Sequence, residues 1–280
     1  MLSVYLEPSF INRAVDANRS GQDVTDALRS RNSRPVVGLH AIYDLARTLL
    51  TAHNEERAHR LFTLVAQIGP TFYWYPDELL NRELEKLRHR TAVLPFLDHE
   101  NHLRTVSEIN RLSQGVLSDE GRSFIQGRES DIAATFPSSS AQYIKQIAQV
   151  RASQPNLMPK GRQFEDVITY FRPQFPQIVA AILHPRAVTP SECTRLSENL
   201  DEYPSLRAAV RANLYMCFIM IVHGATPGDD KLDDYRHVIE AAYCDAILTA
   251  DKQLERTATR ITPQITVIPF DTLGGAGAAA

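Results

Sequence analysis

The 280-residue sequence carries 30 Lys and Arg against 33 Asp and Glu side chains, a net charge of −3 that excludes a generic basic nucleic-acid coat. Its 44% hydrophobic and 22% charged residues exclude a disordered, collagenous or fibrous chain. Three widely spaced cysteines indicate neither a disulfide framework nor a zinc site, and the lack of a leader or an apolar run of roughly 20 residues predicts a soluble, cytoplasmic protein without a membrane partner.

The N-terminal part predicts three strand–helix units. Short apolar, β-branched or aromatic strand patterns lie at residues 2–6, 35–39 and 71–75. Helical patterns follow at residues 10–15, 42–50 and 77–84. The second helix has an apolar face made of Ile42, Leu45, Ala46, Leu49 and Leu50. Asp44 lies off this face, where it lines a cleft or meets water.

The middle of the chain, residues 98–224, predicts helices and almost no strands. One helix is expected at 141–150, and another at 191–200, with Thr189 as its N-cap and Pro190 at its first position. A long helix from Pro204 to Gly224 is apolar on all sides, which is typical of a buried central helix.

The C-terminal part returns to alternating elements. Helices are expected at 231–242 and from Lys252, and strands at 245–249 and 265–268. Strand–helix alternation indicates an α/β fold in which a mostly parallel sheet is covered by helices. We therefore predict one α/β domain from residues 1–97 and 225–272, a helical insertion at 98–224, and a disordered tail at 273–280.

Several common catalytic motifs are missing from this chain. It contains no GxxxxGK[ST], GxGxxG or GxSxG, and the segment from His99 to His102 is one residue too short for a zinc-binding HExxH. Only five of the 30 basic residues are lysine, so 25 are arginine, whose forked donors suit phosphate oxygens.

What remains is a set of acids placed at the ends of elements. Glu7 follows the first strand, and Asp251 follows the strand that ends at Thr249. Because the carboxyl ends of parallel strands share one edge, these two acids are expected near each other, with helices that bear Asp44 and Asp234 closing the crevice. Clustered carboxylates repel one another, and a divalent cation bound through oxygen ligands is the usual resolution.

Three segments of the sequence resemble one known family. Residues 234–251 are similar to the closing motif of PIN-domain nucleases, a helix of the DxxIAxxA type followed by a strand that ends in T-x-D. Residues 4–9 resemble the family's first strand and acidic turn, and residues 39–47 its second strand–helix element with a further acid. The resemblance covers roughly residues 1–90 and 225–272, so it implies a PIN-like three-layer fold interrupted by the helical insertion.

The resemblance implies a metal-dependent endoribonuclease. Mg²⁺ or Mn²⁺ would be held by Glu7, Asp44, Asp234 and Asp251 and would activate the attacking water on an RNA phosphodiester. Asp245 is a candidate fifth carboxylate, and Thr249 a hydroxyl that orients Asp251 or a water. Many members of the family are toxins that a partner neutralises, so an inhibitor or antitoxin is a further expectation, and the insertion offers a face for a homo-oligomer.

Two departures from the family pattern keep a second function open. The first acid of the family is normally Asp and the second Glu, whereas this chain has Glu7 and Asp44. The alternative is therefore a catalytically degenerate PIN-like scaffold that binds RNA or a protein partner. In a third alternative, the helical insertion is an interaction module and the sheet only presents it.

Each acid also has an ordinary structural alternative. Asp234 could complement the positive end of its helix, Asp251 could be the N-cap of the helix that follows it, and Asp44 could be a solvent-face residue. Glu7 ends a buried strand and needs a partner, which an arginine supplies as well as a metal does. His237 is predicted to be a packed or hydrogen-bonding helix residue.

Overall fold

The computed structural model describes residues 1–50, 54–119, 121–127, 163–184, 186–222 and 229–274, with the single positions 145, 148, 149 and 152. Its five strands are β1 Leu2–Leu6, β2 Ser33–Gly38, β3 Thr71–Tyr73, β4 Ala246–Thr249 and β5 Thr266–Pro269. They form one sheet in the order β3-β2-β1-β4-β5, and every pairing is parallel. The predicted α/β class with a central parallel sheet is confirmed.

Helices surround this sheet. Those in the N-terminal part are α1 Pro8–Asp16, α2 Gly21–Arg29, α3 Leu39–Ala46, α4 Glu55–Ile68 and α5 Pro76–His89. Those in the middle are α6 His99–Leu112, α7 at 121–127, α8 Phe164–Phe171, α9 Phe175–Leu183, α10 Pro190–Glu198 and α11 Pro204–Val222. The last two are α12 Asp229–Glu240 and α13 Lys252–Ile261.

The order of the strands defines where a crevice forms. The chain moves from β1 to β2 and β3 on one side of the sheet, and β4 and β5 extend it on the other side. In open parallel sheets ligands bind outside the carboxyl ends of the strands where the direction of winding reverses. Here that point lies between β1 and β4, where Leu6 is paired with Leu248.

The helical middle shares its core with the sheet. Among the described residues from 98 to 222, every regular element is helical, as predicted. The buried side chains of α11, including Leu206, Val210 and Leu214, belong to the same apolar cluster as Val4 and Ile247 of the sheet. The insertion is therefore continuous with the α/β core in its packing, although it interrupts the α/β pattern along the chain. No helix in these described stretches is long and apolar enough to cross a bilayer.

Three local predictions need correction or fall outside the described residues. The disordered tail does not begin at 273, because Leu273 is 7% exposed and packs on the core within a 3₁₀ turn at Phe270–Gly274. Residues 275–280, and most of the helix expected at 141–150, lie outside the described residues. On α3 the buried side is wider than the predicted face, because the helix contacts α1, α4 and α12. Tyr43 is buried there, whereas Leu50, in the 3₁₀ turn Arg47–Leu50 that follows α3, is 36% exposed.

Candidate functional site at the carboxyl edge of the sheet

Glu7 lies where β1 ends and α1 begins. Successive side chains of a strand alternate between its faces, so Ser3, Tyr5 and Glu7 share one face of β1. The Glu7 carboxylate is buried, and its Oε2 accepts hydrogen bonds from the Ser9 backbone N–H at 3.0 Å, from the Ser9 hydroxyl and from the Thr249 hydroxyl at 2.9 Å. Burial raises the pKa of Glu7, and the nearby His237 and these donors oppose that rise.

Thr249 joins the ends of the two central strands. Thr249 is the last residue of β4, and its hydroxyl donates a hydrogen bond to the Glu7 carboxylate. The same hydroxyl accepts a hydrogen bond from the backbone N–H of Asp251 at 3.0 Å. The sequence predicted that this hydroxyl orients Asp251 or a water. In the structure it fixes the Asp251 backbone.

The Asp251 carboxylate is the N-cap of α13. Its Oδ1 accepts the backbone N–H groups of Gln253 at 2.6 Å and Leu254 at 3.2 Å. These are orphan donors in the first turn of a helix, which a capping carboxylate satisfies. The capping alternative that the sequence left open for Asp251 is therefore confirmed.

Removal of this cap gives a simple prediction. We expect Asp251→Ala to lower the free energy of unfolding by about 1 kcal/mol, because the first turn of α13 loses its acceptor. Asp251→Asn keeps a capping oxygen and should stay within a few tenths of a kcal/mol of the wild type. Urea denaturation measures both variants, and an equal loss in the two would contradict the capping role.

Asp44 lies on α3 between two basic groups. Its Oδ1 is 3.3 Å from the Arg47 guanidinium one turn later, and its Oδ2 is 3.8 Å from Nε2 of His237. The side chain is 30% exposed, so it stands at the boundary between the buried network and solvent.

His237 is the centre of a buried polar chain. Tyr5 gives its single hydroxyl proton to Oε2 of Glu240 at 2.6 Å, and Nδ1 of His237 lies 3.1 Å from the same hydroxyl oxygen. The imidazole therefore donates its Nδ1–H to Tyr5, while Nε2 faces Asp44. The prediction that His237 is a packed, hydrogen-bonding helix residue is confirmed.

The charges around His237 favour the imidazolium. Burial alone would lower its pKa, but the Asp44 carboxylate and the negative charges of Glu7 and Glu240 raise that pKa to about 9. At neutral pH the imidazole thus carries a positive charge among three carboxyl groups.

Glu240 was not among the predicted acids, and its role is structural. Its Oε1 accepts the backbone N–H of His40 at 2.7 Å, and Ala41 donates to the same carboxyl group, so Glu240 caps the start of α3. The N-cap position of α3 is Gly38, which has no side chain to do this. Burial raises the pKa of Glu240 to about 7, against the opposing effects of His237, Tyr5 and the two N–H groups.

A second buried glutamate has the same arrangement. Glu83 on α5 accepts the N–H groups of Ser205 at 2.8 Å and Leu206 at 2.7 Å, which begin α11, and the Tyr243 hydroxyl at 2.7 Å. Burial raises the pKa of Glu83 to about 7. A buried glutamate paired with a tyrosine thus caps a helix twice in this fold, which supports a structural reading of Glu240.

The structure separates the remaining predicted acids. Asp234 is half-buried on α12, one turn before His237, so its helix does flank the carboxyl edge. Asp245 precedes β4, and its Oδ2 accepts both the N–H and the hydroxyl of Ser3 at 2.7 Å. Ser3 is four residues before Glu7 on β1, roughly 13 Å away along the strand. Asp245 therefore lies at the amino edge of the sheet, away from Glu7, which does not favour the prediction that it is a fifth ligand.

The predicted metal site can be tested against these contacts. Carboxylate oxygens are suitable donors for Mg²⁺ or Mn²⁺. Across the described part of the chain, however, no group of three or more His, Cys, Asp or Glu side chains is arranged to hold a metal ion. Glu7, Asp44 and Asp251 instead contact hydroxyl, guanidinium and backbone donors of the protein. These contacts leave no ready-made cation site among the described side chains, and the metal set of four acids stays a prediction.

Comparison with known proteins gives no family. No protein-family model, curated protein or solved structure matches the chain significantly. The likeness to PIN-domain nucleases thus rests on the sequence motifs and stays a prediction.

Proposed function

We propose that this chain is a PIN-like, cytoplasmic α/β protein that binds RNA at the carboxyl edge of its sheet without cleaving it. The observation that carries the proposal is that protein groups contact three of the four predicted acids, Glu7, Asp44 and Asp251. Thr249 and Ser9 bind Glu7, Arg47 and His237 flank Asp44, and the first turn of α13 binds Asp251.

His237 supplies the charge that balances this edge. Carboxylates held together in a buried place need a positive partner. The imidazolium lies 3.8 Å from Asp44 and is bonded through Tyr5 to Glu240. Two features support RNA as the ligand. The chain is rich in arginine, whose guanidinium groups suit phosphate oxygens, and the crevice between β1 and β4 is the place where open parallel sheets bind ligands.

A second candidate is the metal-dependent endoribonuclease that the resemblance implies. It is favoured by the order of the strands, which brings Glu7 next to the turn between Thr249 and Asp251. Helices α3 and α12, which bear Asp44 and Asp234, contact each other at that edge. In this candidate the four acids are the reactive groups.

One assay separates the two candidates. The full chain is mixed with labelled single-stranded and hairpin RNA, with Mn²⁺ or with a chelator, and both retention and cleavage are followed. The variants are Asp234→Asn and Asp251→Asn, and the matched control is Asp201→Asn, whose side chain is 92% exposed.

We expect RNA to be retained equally with and without Mn²⁺ and to stay intact in all variants. Cleavage that requires Mn²⁺ and is lost in Asp234→Asn and Asp251→Asn, but not in the control, would overturn the scaffold and support the nuclease. If the protein neither retains nor cleaves RNA, both candidates are overturned, and a protein partner remains as the ligand class.

A further inference from the structure

A cavity of about 420 Å³ lies beside the carboxyl edge. It is formed by α3, α6, α7 and Tyr75, the second residue after β3. Its back wall is apolar and includes Ile109, Leu112 and Ile125, which are all buried. Tyr43 lines it from α3 and is the neighbour of Asp44, so the cavity adjoins the proposed RNA-binding edge.

Three aromatic rings form one side of this cavity. Phe124 lies 6.5 Å from Tyr43, edge to face, and 6.2 Å from Tyr75 between ring centroids. Tyr43 is buried, whereas Phe124 is 47% exposed. Phe124 thus offers a ring at the entrance, held in place by two rings behind it.

The opposite side is polar. Asn101, Arg104, Thr105 and Glu108 line the cavity from one face of α6, because residues three and four positions apart are neighbours on a helix. Arg104 is exposed and carries a planar cation, and Asn101 carries amide donor and acceptor groups. The cavity therefore combines aromatic surface on one side with hydrogen-bonding groups, one cation and one carboxylate, that of Glu108, on the other.

We propose that this cavity receives a nucleobase of single-stranded RNA, which deepens the proposed function and rests on it. Its volume falls in the lower part of the range of small-ligand pockets, roughly 300–1,000 Å³, which suits one flat ring system. Splayed-out bases of single-stranded RNA are bound by stacking on aromatic side chains or arginine planes, with hydrogen bonds to the base edges. Phe124 stacks on the base, and Asn101 and Arg104 contact its edge or the adjoining phosphate.

The test uses a short single-stranded RNA that carries a fluorescent adenine analogue. Phe124→Leu keeps apolar bulk but removes the ring, and Phe124→Tyr restores a ring. The matched control is Tyr170→Leu on α8, which removes a ring that is 46% exposed and lies outside the cavity. An RNA of the same length with abasic sugars measures phosphate binding alone.

We expect Phe124→Leu to weaken binding by roughly fivefold to a hundredfold, the effect of losing one base stack. Phe124→Tyr and Tyr170→Leu should bind like the wild type, and the analogue should be quenched in every protein except Phe124→Leu. Unchanged binding in Phe124→Leu, or equal affinity for the abasic RNA, would overturn the base pocket while RNA binding stands. If the wild-type protein binds neither the RNA with the adenine analogue nor the abasic RNA, the proposed function is overturned together with the pocket.

Discussion

Replacement of His237 by glutamine is expected to lower the free energy of unfolding by about 3–5 kcal/mol near pH 7. The variant keeps a side chain of similar length but removes the positive charge next to Asp44, Glu7 and Glu240. Because Glu240 is fully buried, its carboxylate would lose its nearest counter-charge. Urea denaturation of the two proteins gives the difference, and His89→Gln, an exposed histidine beside Glu85, is the matched control.

The same pair of proteins should show a characteristic pH dependence. The folded pKa of His237 is raised to about 9 from an ordinary 6.5, so the folded protein holds this proton more tightly than the unfolded chain. The stabilisation that the charged His237 gives to the folded protein is thus complete below about pH 6.5 and is lost as the pH rises through about 9. The total loss in the free energy of unfolding is about 3 kcal/mol. The difference in the free energy of unfolding between wild type and His237→Gln should become smaller as the pH rises from about 6.5 to about 9. A gap that is constant with pH would contradict a charged His237.

Substitution of Gly38 by alanine is the second change with a large expected effect. A Cβ atom at this position would stand 1.9 Å from Oε2 of Glu240, too close for any contact. The carboxylate would have to leave the N–H groups of α3 and the Tyr5 hydroxyl. We expect a loss of about 2–5 kcal/mol in the free energy of unfolding, from overpacking and from buried polar groups left unsatisfied.

Two controls separate this clash from a general effect of alanine. Gly127→Ala meets nothing within 4 Å and should leave stability nearly unchanged or slightly raised. In the double variant Gly38→Ala/Glu240→Ala the clash is gone, so it should be no less stable than Glu240→Ala alone. Additive losses in the double variant would show that the two residues act independently, contrary to the capping arrangement.

The sequence predicted the frame of this site well, because the frame depends on local patterns. The strand Leu2–Leu6 has the predicted bounds, and β4 ends at the predicted Thr249. Parallel pairing then brings Glu7 next to Thr249 without further information. Asp251 follows a strand and precedes a helix, so its position in the sequence alone predicted both possible roles, metal ligand and helix N-cap.

The centre of the site could not be predicted in the same way. In the sequence, Tyr5 is an ordinary strand residue and Glu240 is one of several acids on an amphipathic helix. Their contact depends on which side of α12 packs against β1, which the sequence pattern does not determine. A helix-capping glycine without a side chain, Gly38, was the one local signal that a distant acceptor was needed. Asp245 was misplaced because an acid that begins a strand lies at the opposite edge from one that ends it. The aromatic cavity combines segments far apart in sequence, so no single pattern reveals it.

The protonation state of His237 tests the central claim most directly. Nitrogen-detected NMR of the histidine rings, with His237→Gln to assign the signal, reports whether each ring nitrogen carries a proton. We expect both nitrogens of His237 to be protonated at neutral pH and the ring to titrate at about 9. A ring that is neutral at pH 7 would contradict the proposal that His237 supplies the positive charge that balances the acids of this edge.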